Sequence, residues 1–247
     1  MMPTAFATRI ALFNFILLLA ACGSDRLPTR ADVPDIMAEA QGTKPVSKWR
    51  DSKAREAVRS SFRSALYFDS MHQAEVRTRF QRPELRSYLL LEDSYVGGDF
   101  PRRIAGLLRE VQQADQLYVQ QVASYPELLA SRLARLDLSD AQRAALHAEM
   151  TQAYAARQQP VLATVAVIDT FVHTVARLYE MMASNQGAFQ SKLAGLEFSD
   201  VDMLRRYNGM VDEVNRAHAA ADSAIRRLPP EHQAHFRRMG LATPVRK

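Results

Sequence analysis

The stretch VLATVAVIDTFVHTVARLYEMM, residues 161–182, decides the fold of this chain. Its apolar residues Val161, Val165, Ile168, Val172, Val175, Tyr179 and Met182 recur at alternating spacings of four and three. That spacing keeps one face of a helix apolar through about six turns and predicts a stripe packed into a bundle core. Pro160 stands immediately before it. A proline there either opens a helix or kinks one that is continuous from Ser139, and the pattern is compatible with both.

Outward from this segment the signals are helical almost throughout. Ile104, Leu107, Val111, Ala114 and Tyr118 form a comparable face, as do Tyr207, Val211, Val214, Ala221, Ile225 and Leu228. Helix boundaries are marked by residues that satisfy or end the backbone ladder. Pro83 opens a helix through Glu84 to Val96, stopped by Gly97-Gly98, and Asp99 offers an N-cap for the next helix. Ser124 with Glu127, and Ser139 with Gln142, fit the reciprocal capping box and bracket a short helix between two longer ones. Ser199 is placed to cap a helix ending at Leu228, where Pro229-Pro230 precedes a terminal turn of helix from His232 to Met239. Phe189 to Phe198 is the least helical part. Ala194-Gly195 suits a turn between 190–193 and 196–198, making a small hairpin or extended loop packed on the bundle end. The fold class expected is all-α, an elongated antiparallel helix bundle.

The amino terminus carries a different message. Arg9, the apolar run from Ile10 to Leu19, and Leu19-Ala20-Ala21-Cys22 have the form of a secretory signal with a lipoprotein cleavage site. Cys22 is the only cysteine, so the thiol is read as the attachment point of diacylglycerol, with a further acyl chain such as palmitate on its amino group. Gly23 follows, in place of the aspartate that commonly retains lipoproteins in the inner membrane of Gram-negative bacteria. The expected location is the outer membrane, facing the periplasm. No later stretch is expected to cross a membrane. The boundaries that follow are 1–21 for the signal peptide, 22–46 for the lipidated cysteine and a flexible tether rich in proline and glycine, 47–240 for the helical domain, and 241–247 for a flexible tail.

The formal charge of +5 loses one unit with Arg9, and a basic surface suits anionic lipid or acidic glycan; export argues against nucleic acid as a partner. Lys48, Trp49, Arg50, Lys53, Arg55 and Arg59 follow the tether as a basic run with an interleaved indole, and are the candidate membrane or polyanion contact. A solvated helix face accounts for the same residues. Asp169, His173 and Arg177 fall at i, i+4 and i+8 on the polar side of their helix, where surface ion pairing explains them better than catalysis does. Glu231, His232 and His235 share a turn but lack a third spaced ligand for zinc, and His218 sits between Val214 and Ala221 as a core histidine. No G-x-S-x-G, H-E-x-x-H, phosphate loop or zinc-cysteine cluster occurs. No catalytic residue, metal or cofactor is assigned.

In the segment Phe171 to Val211, the order of Phe189, Gly195, Phe198 and Tyr207-Asn208, followed by Leu228-Pro229, resembles a family of uncharacterised bacterial lipoproteins. The resemblance implies a helical periplasmic lipoprotein and transfers no catalytic residue. The functional expectation is a membrane-anchored binding or scaffolding module of the cell envelope with a protein or glycan partner. The alternatives are a carrier holding a small apolar ligand within the bundle, or a periplasmic enzyme without a recognisable motif.

Overall fold

The computed structural model describes residues 26–46, 52–80, 99–192 and 195–238. The chain is an all-α helical bundle protein, with one small hairpin among the described residues. Its helices are α1 (Val33–Ala40), α2 (Lys53–Phe80), α3 (Phe100–Ala123), α4 (Tyr125–Leu133), α5 (Asp140–Ser184), α6 (Val201–Arg227) and α7 (Pro230–Arg238). The hairpin strands β1 (Phe189–Lys192) and β2 (Gly195–Phe198) lie between α5 and α6. The helix predicted at 84–96 lies outside the described residues.

The chain divides into two compact units, residues 1–63 with 129–150, and residues 64–128 with 151–247. In the first, Thr29 and Asp32 form a capping box: the Thr29 hydroxyl donates to Asp32 Oδ2 at 2.9 Å, and the Thr29 amide donates to the same atom at 2.8 Å. A tight turn from Arg30 to Asp32 then leads into α1, with Pro34 in its first turn, where proline's fixed φ favours a helix start. Ile36, Met37 and Glu39 are buried. The expectation of a flexible tether through residue 46 is therefore corrected for 30–40. Pro28 and Pro34 suggested a breaker, whereas they flank and open a helix.

In the second unit the helices run antiparallel, as their partners show. Asp69, His72 and Arg79 of α2 meet Tyr118, Asp115 and Glu110 of α3 in reverse order. Phe100 and Tyr118 of α3 meet Tyr179 and Gln158 of α5, and Phe171 and Arg177 of α5 meet His218 and Glu213 of α6, again in reverse order. All seven residues of the heptad stripe are buried, as are the five named on α3. On α6 the burial narrows to Val214, Ala221 and Ile225. The hairpin pairs Phe189 with Phe198 and Lys192 with Gly195, and Phe198 sets its ring 5.1 Å from Tyr207 of α6.

Pro160 lies inside one continuous helix from Asp140 to Ser184. The capping box at its start is formed in both directions, Gln142 N to Ser139 Oγ at 3.2 Å and Ser139 N to Gln142 Oε1 at 3.0 Å. Ser199 does not cap α6: its hydroxyl donates back to the Ala188 carbonyl, and Asp200 is the N-cap, accepting from the Asp202 amide at 2.9 Å. An aspartate one residue on offers a stronger acceptor to the helix N-terminus. By length and composition α5 also contains an 18-residue stretch apolar enough to cross a membrane, contrary to expectation, and 56% of that stretch is buried inside the protein. The core-facing heptad supplies that apolar content.

Candidate functional site

The second unit buries a layer of polar side chains where the heptad pattern calls for apolar ones. Asp69 and His72 lie one turn apart on α2, Asp115 and Tyr118 one turn apart on α3, and Tyr154 and Gln158 one turn apart on α5. His72 Nε2 and Asp115 Oδ1 lie 2.7 Å apart, with the two side chains 1% and 7% exposed. Tyr118 donates its hydroxyl to Asp69 Oδ1 at 3.0 Å and stands 3.5 Å from Gln158 Oε1. Its ring stacks on His72 with centroids 4.3 Å apart, and Tyr125 stacks on Tyr154 at 3.9 Å.

Burial sets the electrostatics of the layer. Desolvation raises the Asp69 carboxyl above the usual carboxylate range, against the lowering effect of the Tyr118 hydroxyl, His72, Gln158 and Arg157. Desolvation likewise raises Asp115, helped by the negative charge of Asp169 and opposed by His72. Tyr118 and Tyr154 are pushed up by burial and by the Asp69 charge, so both hydroxyls stay protonated. A carboxylate beside an imidazole is the arrangement that orients a general base. Here the imidazole is almost wholly enclosed and covered by the Tyr118 ring, so the couple ties α2 to α3.

The first unit holds a second polar cluster. Glu39 of α1 accepts from Arg55 Nη2 at 2.8 Å and from Arg59 Nη1 at 3.1 Å, all three residues being buried. Arg59 also meets Glu56 on its own helix, and Arg55 Nη1 lies 3.9 Å from Asp32 Oδ1. Burial alone would raise the Glu39 carboxyl; the two guanidiniums outweigh it and hold the group below its ordinary range.

Of the residues singled out from sequence, Cys22, Lys48, Trp49 and Arg50 lie outside the described residues. Lys53 is exposed, as a contact residue would be. Arg55 and Arg59 are corrected: their guanidiniums are committed to Glu39 and are not presented to a membrane or polyanion. Their spacing of four put both on the one face of α2 that α1 covers. Asp169 turns inward with Oδ1 buried, His173 is exposed, and Arg177 lies 3.8 Å from Glu213 of α6, so the three do not act as one stripe. His218 is exposed, its ring centroid 5.4 Å from that of Phe171, and is not a core histidine. The side chains of Glu231 and His235 lie outside the described set, and among the described residues no group of three potential ligands is placed to hold a metal ion.

Sequence reasoning missed the polar layer and Glu39. A signal for the first existed. Asp115 falls four residues after Val111 and three before Tyr118, and His72 falls seven after Ala65 and four before Val76, so both occupy the apolar face of their helices. No protein-family model matches the chain, and neither a curated protein nor a solved structure matches it significantly.

Proposed function

We propose that this chain is a lipid-anchored envelope protein of a Gram-negative bacterium, held at the periplasmic face of the outer membrane by acyl groups on Cys22, and that its helical body is a binding or scaffolding module. The observation that carries the anchor is Leu19-Ala20-Ala21-Cys22 after an apolar run, with Cys22 the only thiol in the chain. The likeness of the C-terminal part to bacterial helical lipoproteins supports the same location. The module reading is favoured over an interior carrier because the cavity between α2 and α3 opens at the surface beside exposed Met71 and Leu117. An enzyme is disfavoured by the enclosure of the His72 and Asp115 couple.

Lys53, together with Lys48, Trp49 and Arg50, remains the proposed contact to anionic headgroups, a smaller set than the full basic run. Labelled palmitate fed to cells tests the anchor. Incorporation into the wild-type chain and its loss in Cys22→Ser is the expected result, and labelling of that variant would sink the reading.

A further inference from the structure

We propose that the groove between α2 and α3 docks a basic amphipathic helix of a partner protein, its apolar face on Met71 and Leu117 and its cations over Glu75 and Glu110. The proposal deepens the module reading and rests on it for the claim that this surface meets another protein.

The groove is open and exposes large apolar side chains among polar ones. Met71 and Leu117 are 45% and 55% exposed, and Tyr67, one turn before Met71 on the same helix, is 61% exposed. Among the described residues seven large apolar side chains stand exposed, and two of them, Met71 and Leu117, face the same cavity from adjoining helices. Single exposed leucines are ordinary, whereas a contiguous set beside a cavity marks a contact site. The cavity between the helices measures about 180 Å³; Met71, Ala114 and Leu117 give its apolar lining, His72, Gln113 and Gln121 its neutral polar lining, and Glu75, Glu110 and Arg79 its charged rim. A cavity of ~150 Å³ admits a benzene ring, so this one accepts one leucine or phenylalanine anchor. Methionine at such a place adapts its shape to the incoming group.

Charge selects the occupant. The chain is basic overall, yet residues 64–76 and 110–131 contain no lysine or arginine, while they hold Asp69, Glu75, Glu110, Asp115 and Glu127. Asp69 and Asp115 turn into the buried layer. Glu75 and Glu110 stand at the rim and share the single guanidinium of Arg79 from the end of α2. Two carboxylates against one cation leave the rim negative. That rim repels anionic lipid, nucleic acid and acidic glycan, and complements a helix that alternates leucine-type anchors with lysine or arginine.

The test uses the full chain in phosphatidylcholine nanodiscs, with empty nanodiscs subtracted. The probes are two fluorescent amphipathic peptides of the same pattern, one of leucine and lysine, the other of leucine and glutamate. The lysine peptide should bind and the glutamate peptide should not. Leu117→Ser with Met71→Ser should weaken binding at least tenfold at unchanged helix content. Glu75→Lys with Glu110→Lys, at exposed positions, should reverse the preference between the peptides. Equal binding of both peptides, or binding unmoved by these substitutions, overturns the proposal. A dimer seen by sedimentation without peptide and dissolved by Leu117→Ser also overturns it, in favour of self-association. Palmitate labelling is read separately, so loss of the anchor and loss of the groove are distinguishable.

Discussion

The His72 imidazole and the Asp115 carboxyl meet at 2.7 Å across α2 and α3, inside a core whose periodicity calls for apolar side chains at both positions. Replacing a buried couple of this kind with packed apolar groups is often neutral, whereas removing one partner strands the other. Its value lies in register: a slip of one turn along either helix would leave a carboxyl and an imidazole facing alkyl groups.

The two units should respond to pH with opposite sign. Asp69 and Asp115 are raised by burial, so the folded state binds more protons than the unfolded one between the unfolded and folded values. Their stabilising contribution is complete below the unfolded carboxyl range and falls as pH rises through the folded values. Glu39 and Asp32 are lowered, so their contribution is present at neutral pH and is lost as pH falls through the folded values. Hydrogen exchange resolved by segment should show α1 losing protection in acid below the ordinary carboxyl range while residues 64–80 and 100–123 keep theirs. Asp69→Asn keeps an acceptor for Tyr118 and should raise neutral-pH stability of the second unit while flattening its pH dependence.

Glu39→Ala should cost up to about 3–5 kcal/mol in denaturant titrations, because it removes the buried carboxylate that Arg55 and Arg59 share and leaves them only Asp32 and Glu56. Loss of amide protection over residues 33–40 would accompany it. Glu39→Leu, Arg55→Met and Arg59→Met together should recover most of the loss; a triple variant as unstable as the single one contradicts this account.

Ile168→Asp places a charge among apolar contacts at the centre of the heptad stripe and should lose several kcal/mol, or fail to fold. Thermal melts followed by circular dichroism check it, with Asp140→Ala at the exposed start of the same helix as a control near wild-type stability.

Pro160→Ala should stabilise the chain. Proline within a helix removes one backbone hydrogen bond and costs up to ~3 kcal/mol, and Pro160 lies near the middle of α5. A rise in Tm is expected. An unchanged or lower Tm would mean that neighbouring side chains are packed against the proline ring.

The parts legible in the sequence are those fixed by neighbours along the chain. Val161 to Met182 announces its buried face by spacing alone, and Ser139 with Gln142 announces a helix start, because both patterns act over a few residues. Thr29 and Asp32 carried the same capping signal, followed by Val33, Ile36, Met37 and Ala40 at helical spacing, but Pro28 and Pro34 masked it. Arg55 and Arg59 read as solvent-facing because their partner sits 16 and 20 residues earlier in the sequence. His72 and Asp115 are 43 residues apart, and only the antiparallel pairing of α2 with α3 reveals that each answers the other.

The capping box at Thr29 also bears on geography. With acyl groups at Cys22, as proposed, the turn starting with Arg30 is only eight residues from the anchor. Fully stretched, eight residues span ~26–29 Å, against ~80–85 Å for a leash running to residue 46. The space that the body can sweep around its lipid foot scales roughly as the cube of that radius, so it shrinks by more than twentyfold. A partner embedded in the same membrane is then met at high local concentration, while one lying far across the periplasm has to come to the membrane to be bound.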